Sequence, residues 1–169
     1  MEQNINNKIE LRDKLISFFN TNKVKIYTLI IIFIIIVITA IFLKINNDKK
    51  TSFIAEQYIK AGLYLSSNKK EKAIKMYEEI IFSKNKFYSV LALNHILEKN
   101  LVSDKRKILN FFQSVEELNL SEEQADLIIL KKALYLNKIS NSGNGNKLLK
   151  ELKNKNSKLT PIIEELIID

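Results

Sequence analysis

The stretch IYTLIIIFIIIVITAIFL, residues 26–43, is the longest apolar run of the chain and dictates its fold class. It holds 18 residues without a charge, and Lys25 and Lys44 stand directly outside it. At 1.5 Å per residue, a helix of this length is about 27 Å long, close to the roughly 30 Å hydrocarbon core of a bilayer. A helix in the core of a soluble domain keeps a polar face, and this stretch has none. It therefore predicts a transmembrane helix.

A cleaved secretory signal is the alternative interpretation of the same stretch. Signal peptides have an apolar core of about 7–15 residues, followed by a cleavage site with small residues. Here the run is longer and continues as Ile41-Phe42-Leu43-Lys44, without such a site. We predict an uncleaved signal anchor over 26–43, with an N-terminal cytoplasmic segment over 1–25 and a linker over 44–51.

Basic residues on the two sides of the anchor predict its orientation. Cytoplasmic flanks carry an excess of Lys and Arg, and long C-terminal domains translocate largely regardless of their charge. We predict a cytoplasmic N-terminus and a periplasmic or otherwise extracytoplasmic C-terminal domain, in the inner (plasma) membrane. The five basic residues before the anchor and the nearest four after it are Lys8, Arg12, Lys14, Lys23 and Lys25, and Lys44, Lys49, Lys50 and Lys60.

The segment before the anchor has two interpretations. Its apolar residues recur at roughly helical spacing, which favours a short amphipathic helix against the inner headgroups. A partly ordered tail fits the same residues. The apolar positions concerned are Ile5, Ile9, Leu15, Ile16 and Phe19.

Residues 52–169 predict an all-α domain. They contain one proline, three glycines and no alternating apolar pattern of the kind found in strands. Capping signals mark the helix starts, and short connections predict antiparallel hairpins. The capping signals are a box at Asn68 and Glu71, Ser103, a second box at Ser121 and Gln124, and Thr160 before Pro161. The predicted helix pairs are 52–66/69–82, 86–99/104–118 and 122–139/146–155, followed by a capping helix from Pro161.

Small and aromatic residues of the first hairpin recur at tetratricopeptide spacing. Ala61, Tyr64, Ala73 and Tyr77 alternate so that small residues let two helices approach and aromatic rings fill the next turn. The triplet Leu63-Tyr64-Leu65 returns as Leu134-Tyr135-Leu136, about two repeat lengths later. The chain is therefore predicted to be a single N-terminal transmembrane helix followed by a small TPR-like helical-hairpin solenoid.

The complete layout resembles a bacterial family. A charged segment, Glu10 to Leu15, precedes one anchor, and a repeat domain begins with Ala61-Gly62-Leu63-Tyr64. In this it is similar to the YfgM-like tetratricopeptide family of ancillary SecYEG translocon subunits and cell-division-coordinator-type repeat domains. The resemblance implies a periplasmic domain that binds the translocon, chaperones or emerging client segments, without enzymatic activity.

Stacked helical hairpins form a concave groove lined by the first helix of each pair. The groove predicts a membrane-anchored scaffold for protein–protein interactions, and the family resemblance implies an accessory factor of the Sec translocon and periplasmic chaperone network. The alternative function is a structural adaptor in the cell-envelope or division machinery. The alternative for the groove positions is that they pack against one another. The predicted groove positions are Tyr58, Gly62, Leu65 and Ser66 in the first pair, and Ile129, Ala133, Leu136 and Asn137 in the third.

No catalytic, cofactor-binding or metal-binding residues are predicted. The chain has no cysteine, and its one histidine, His95, lacks a partner for metal binding and is interpreted as a packing or groove residue. Ser142 to Lys147 lacks the Walker pattern and is predicted to be a flexible turn. The net charge of +8 is dispersed among acids, which favours anionic lipid surfaces over nucleic acid as a partner. We expect neither an enzymatic activity nor a small-molecule substrate.

Overall fold

A computed structural model describes residues 2–139, 142–155 and 157–167. Within these ranges the regular secondary structure is helical, and no strand occurs. The prediction of an all-helical chain with one long apolar helix near its N-terminus is confirmed. The helices are α1 (Glu2–Ser66), α2 (Lys70–Phe82), α3 (Lys86–Glu98), α4 (Lys105–Glu116), α5 (Glu122–Lys138), α6 (Ser142–Asn154) and α7 (Thr160–Leu166).

The chain divides into two compact units, residues 1–50 and 51–169, and the division falls inside the predicted linker 44–51. The residues of that linker are helical. In the first unit the side chains of 27–43 are exposed to the surroundings of the helix. The side chains of Ile5, Ile9, Leu15 and Phe19, on which the amphipathic interpretation depends, lie outside the described residues.

One helical segment of the described residues, Thr21–Ser66, is long and apolar enough to cross a membrane by length and composition. Its two threonines within the apolar run satisfy their hydroxyl groups locally. Thr28 Oγ1 donates to the carbonyl oxygen of Val24 at 2.9 Å, and Thr39 Oγ1 donates to that of Ile35 at 2.8 Å. Back-bonding of this kind lets a hydroxyl group sit in an apolar environment without an unsatisfied donor.

The second unit buries two apolar clusters. The larger cluster joins residues 51–66 of α1 with α2, α3, α4 and the first half of α5, and Tyr77, Phe111 and Phe112 are its largest fully buried side chains. The smaller cluster joins α5, α6 and α7. Its members are Leu130, Ala133, Leu149, Leu152 and Ile163.

The connection between α1 and α2 differs from its prediction. Asn68 was expected to open α2 through a capping box with Glu71, but α2 begins after Lys69 without a side-chain cap. Asn68 instead has a φ of 57°, and its backbone N–H donates to the carbonyl oxygen of Leu65. Asparagine tolerates the left-handed conformation that ends many helices. Asn68 therefore terminates α1, and the capping-box prediction is wrong.

Of the three other predicted helix caps, one is confirmed and two are wrong. The capping box of Ser121 and Gln124 is confirmed at the start of α5. The cap of α4 is Asp104 rather than the predicted Ser103. Thr160 was predicted as the cap of the last helix, but it is the first residue of α7 and its hydroxyl group donates to the carbonyl oxygen of Ser157.

The predicted flexible turn before α6 is also wrong in its described part. Helix α6 begins at Ser142 and so includes Gly143 and Gly145, whereas the first residues of the predicted connection, 140 and 141, lie outside the described ranges. Glycine weakens a helix by about 1 kcal/mol relative to alanine. Packing of α6 against α5 offsets that cost, because Leu149 and Leu152 become buried in the smaller cluster.

Candidate protein-binding groove

The first groove lies between the C-terminal ends of α1 and α3, beside the start of α2, and has a volume of about 540 Å³. Three of the four groove positions predicted in the first pair line it, Gly62, Leu65 and Ser66. Apolar, small and basic side chains therefore share one surface. Its full lining is Gly62, Leu65, Ser66, Lys70, His95, Lys99 and Leu101.

An aromatic cluster supports the wall of this first groove. The fourth predicted residue, Tyr58, lies in it, with ring-centroid distances of 5.6 Å to Tyr77, 5.9 Å to Tyr88 and 6.3 Å to His95. The Tyr77 and His95 rings are 5.0 Å apart. His95 therefore belongs both to the packing of the cluster and to the lining of the groove, the two roles expected for it.

The pKa values of two tyrosines of the cluster, Tyr77 and Tyr58, are raised. Burial, and then the nearby Tyr58, raise the pKa of Tyr77 to about 12. Burial, and then the charge of Glu98, also raise the pKa of Tyr58 above its usual value. Tyr77 and Tyr58 thus contribute packing to the wall of the groove rather than charge.

The third-pair positions do not line the first groove. Ala133 is fully buried and Leu136 is nearly so, while Ile129 packs against the smaller cluster. Asn137 Nδ2 donates to Oδ1 of Asn146 on α6 at 3.3 Å. Ala133, Leu136 and Asn137 therefore pack within the domain, whereas the half-buried Ile129 also lines a separate pocket of about 300 Å³ between α4, α5 and α6. Ala133 and Asn137 lie on the face of α5 that meets Gly145 of α6.

A second groove, of about 360 Å³, lies between α3, α4 and α5. On α5 it is lined by Lys131, Leu134, Tyr135 and Lys138. Sequence reasoning missed these four residues, although their i, i+3, i+4, i+7 spacing is the signal of one helix face. The residues contributed by the other elements are Asn94, Ile96, Leu97, Glu98, Asn100, Val102 and Ile108.

Two hydrogen bonds hold the lysines of the second groove, one to α3 and one to the connection between α3 and α4. Lys131 Nζ donates to Oδ1 of Asn94 at 2.6 Å, and Lys138 Nζ donates to Oδ1 of Asn100 at 3.1 Å. Burial, with a smaller contribution from Asp104, raises the pKa of Tyr135 between them. The second groove is therefore an apolar floor with two fixed amines at its rim.

Within the described ranges, no group of three or more His, Cys, Asp or Glu residues is placed to hold a metal ion. Comparison of the chain with protein-family models, with curated proteins and with solved structures finds no match. The fold defines the class at the level of an all-helical protein with one long apolar helix near its N-terminus.

Proposed function

We propose that this chain is a single-pass membrane protein whose second unit is a TPR-like scaffold that binds other proteins. The apolar stretch 26–43 supports the anchor, because the side chains of 27–43 are exposed and the hydroxyl groups of its two threonines are satisfied within the helix. The successive packing of short helices supports a repeat-type domain, since α2 packs on α3, α4 on α5, α5 on α6 and α6 on α7, and each of these pairs is adjacent in sequence.

The first groove is the observation that carries the binding role. It combines the half-buried Leu65 and the exposed Ser66 with the cations Lys70 and Lys99. Such a mixture suits a segment of another protein, which brings both apolar side chains and polar backbone. The aromatic cluster behind the groove keeps its shape fixed before binding, which lowers the entropic cost of association.

In line with the family resemblance of the sequence, we place the N-terminus in the cytoplasm and residues 51–169 outside it. The proposed partners are translocon subunits, periplasmic chaperones or client segments that emerge from the translocon. The domain acts on them by binding and not by chemistry. A structural role in the envelope or division machinery is the competing outcome of the experiment below.

Site-specific photo-crosslinking in native membranes tests the proposal. The photoreactive residue p-benzoylphenylalanine replaces Leu65 in the first groove, and in the control it replaces Glu79, which is exposed on α2 and lines neither groove. We expect position 65 to capture translocation or chaperone proteins that position 79 does not. Equal capture at both positions, or capture of only lipid and the chain itself, would refute the scaffold. Capture of division proteins would favour the structural adaptor.

A further inference from the structure

The lysines of the second groove differ from most of the lysines that connect elements of the domain. Most of these lysines meet carboxylates, so that their charge is compensated within the fold, whereas Lys105 Nζ donates to the backbone carbonyl oxygen of Ile139 at 3.5 Å. At the second groove, Lys131 and Lys138 are held by the neutral amides of Asn94 and Asn100. Among the described residues, the carboxylate-paired lysines are Lys107 with Glu78 at 2.6 Å, Lys132 with Glu116 at 2.8 Å, Lys153 with Glu164 at 2.9 Å, Lys155 with Asp126 at 3.1 Å, and Lys158 with Glu123.

Two positive charges are consequently fixed at the rim of this groove without a carboxylate partner among the described residues. Glu98 is the one acidic side chain that lines the groove, so the lining retains a positive balance. Holding an amine in place by a neutral oxygen positions it without neutralising it. The arrangement is complementary to a partner that brings carboxylates.

The floor between the two lysines is apolar and partly open. Leu134 is 40% exposed, although it stands beside the fully buried Ala133. The half-buried Leu97 and Tyr135 complete this part of the floor. Covering an exposed leucine with a partner side chain stabilises the complex by about 25 cal/mol per Å² of apolar surface removed from water.

The spacing of the charges specifies the form of the partner. Lys131 and Lys138 are seven residues apart on α5, which is roughly 10 Å along the helix axis. An extended peptide would find no sheet edge to pair with, because the described residues contain no strand. A helical partner makes its backbone hydrogen bonds internally. Its residues i and i+7 are also roughly 10 Å apart along the axis, which matches the spacing of Lys131 and Lys138.

We infer that the second groove binds an amphipathic helix that carries Asp or Glu at positions i and i+7 and large apolar residues at i+3 and i+4. The carboxylates would accept charge-assisted hydrogen bonds from Lys131 and Lys138, and the apolar pair would cover Leu134. This inference rests on the proposed function and specifies the chemistry of its partner.

Selection from a display library of helical 18-residue peptides tests the inference. The target is the full-length chain in phosphatidylcholine nanodiscs, and positions i, i+3, i+4 and i+7 of the peptides are randomised. Binding of the selected peptides is then measured by fluorescence anisotropy. Lys131→Gln with Lys138→Gln removes both charges and retains a side-chain donor to each asparagine. The matched control is Lys147→Gln with Lys150→Gln, at exposed positions of α6 outside both grooves.

We expect enrichment of acidic residues at i and i+7, and binding to the groove variant that is weaker by tenfold or more, roughly the loss of one to two interfacial ion pairs. The control variant should bind as the original chain does. Lys131→Glu with Lys138→Glu should regain affinity for peptides with Lys at i and i+7. Leu134→Ser, at a partly exposed position, should also weaken binding. This substitution leaves the hydrogen bonds of the two lysines to the asparagines in place.

Selected peptides without the acidic spacing, equal binding to the groove and control variants, or no enrichment would overturn the inference. Its failure is distinguishable from that of the scaffold itself. If position 65 captures proteins in membranes while the selected peptides ignore Lys131 and Lys138, the scaffold stands and the helix-binding assignment falls. If position 65 captures none, the scaffold falls.

Discussion

Gly145 lies directly against the backbone of Ala133, where α6 crosses α5. A β-carbon at position 145 would stand 2.7 Å from the carbonyl oxygen of Ala133 and 1.8 Å from Oδ1 of Asn137. Only glycine allows the two helices to approach this closely. The nearby Gly143, in the same helix, has no atom within 4 Å of the corresponding position.

Gly145→Ala should therefore lower the free energy of unfolding by about 1–3 kcal/mol, because the backbone of α5 must move away. Gly143→Ala should leave stability unchanged or raise it by up to about 1 kcal/mol, since alanine favours the helix and meets nothing. Chemical denaturation of both variants, followed by circular dichroism, measures the difference. Equal effects of the two substitutions would show that the close approach is not a constraint.

The cap of α4 offers a second matched pair. Asp104 Oδ1 accepts hydrogen bonds from the backbone N–H groups of Arg106 at 2.9 Å and Lys107 at 3.3 Å. Asp104→Ala should cost about 1 kcal/mol of stability, the usual effect of losing such a cap. Ser103→Ala should change stability by less than about 0.5 kcal/mol, as is usual for exposed positions without such a role. The reverse order in denaturation midpoints would assign the cap to Ser103.

The existence and order of the helices could be predicted from the sequence, whereas several of their ends could not. Periodicity and short polar connections identify α2 to α5 to within about two residues, since long apolar patterns average over local ambiguity. Ser103 and Asp104 are both good caps, and only the path of the backbone decides between them. Asn68 is suited both to open a helix and to end one, and the packing of α1 on α2 selects the second role.

The candidate site was predictable in the first pair and not in the third. Gly62, Leu65 and Ser66 follow from the repeat spacing around Ala61, which is the part of the sequence closest to the repeat pattern. In α5 the exposed face depends on how far the helix is rotated towards α6. The face of α5 that meets α6 includes Ala133, against which Gly145 lies, and no local sequence pattern encodes that contact.

Tyr77 connects the aromatic cluster to the stability of the domain at high pH. Its hydroxyl group is buried and has no hydrogen-bond partner among the described residues. Tyr77→Phe should raise the free energy of unfolding at neutral pH by about 1 kcal/mol, because an unsatisfied polar group no longer has to be buried. Tyr64→Phe, at a partly exposed position, is the control and should have little effect.

The same variant has a pH signature. The pKa of Tyr77 is about 12 in the folded chain and near 10 when unfolded, so the unfolded state loses its proton first as pH rises. Tyr77 thus favours unfolding progressively between about pH 10 and 12. The phenylalanine variant should lose less stability over this range than the original chain, as measured by urea denaturation at each pH. Parallel pH profiles would contradict the burial of this hydroxyl group.

The last prediction concerns the proposed membrane anchor, residues 26–43. Each lysine at the centre of a membrane helix costs about 2.5–3.5 kcal/mol of insertion free energy. Ile34→Lys with Ile35→Lys should therefore shift much of the chain out of the membrane-inserted state. Ile45→Lys lies just beyond the 26–43 stretch, where the amine reaches the headgroups, and it should be tolerated.

The measurement is flotation with lipid in a density gradient after alkaline carbonate extraction, which separates inserted chains from aggregates. The unsubstituted chain and the Ile45 variant should float, and the double variant should remain largely at the bottom. Failure of the unsubstituted chain to float would remove the anchor, while equal flotation of all three would show that residues outside 26–43 hold the chain to the membrane.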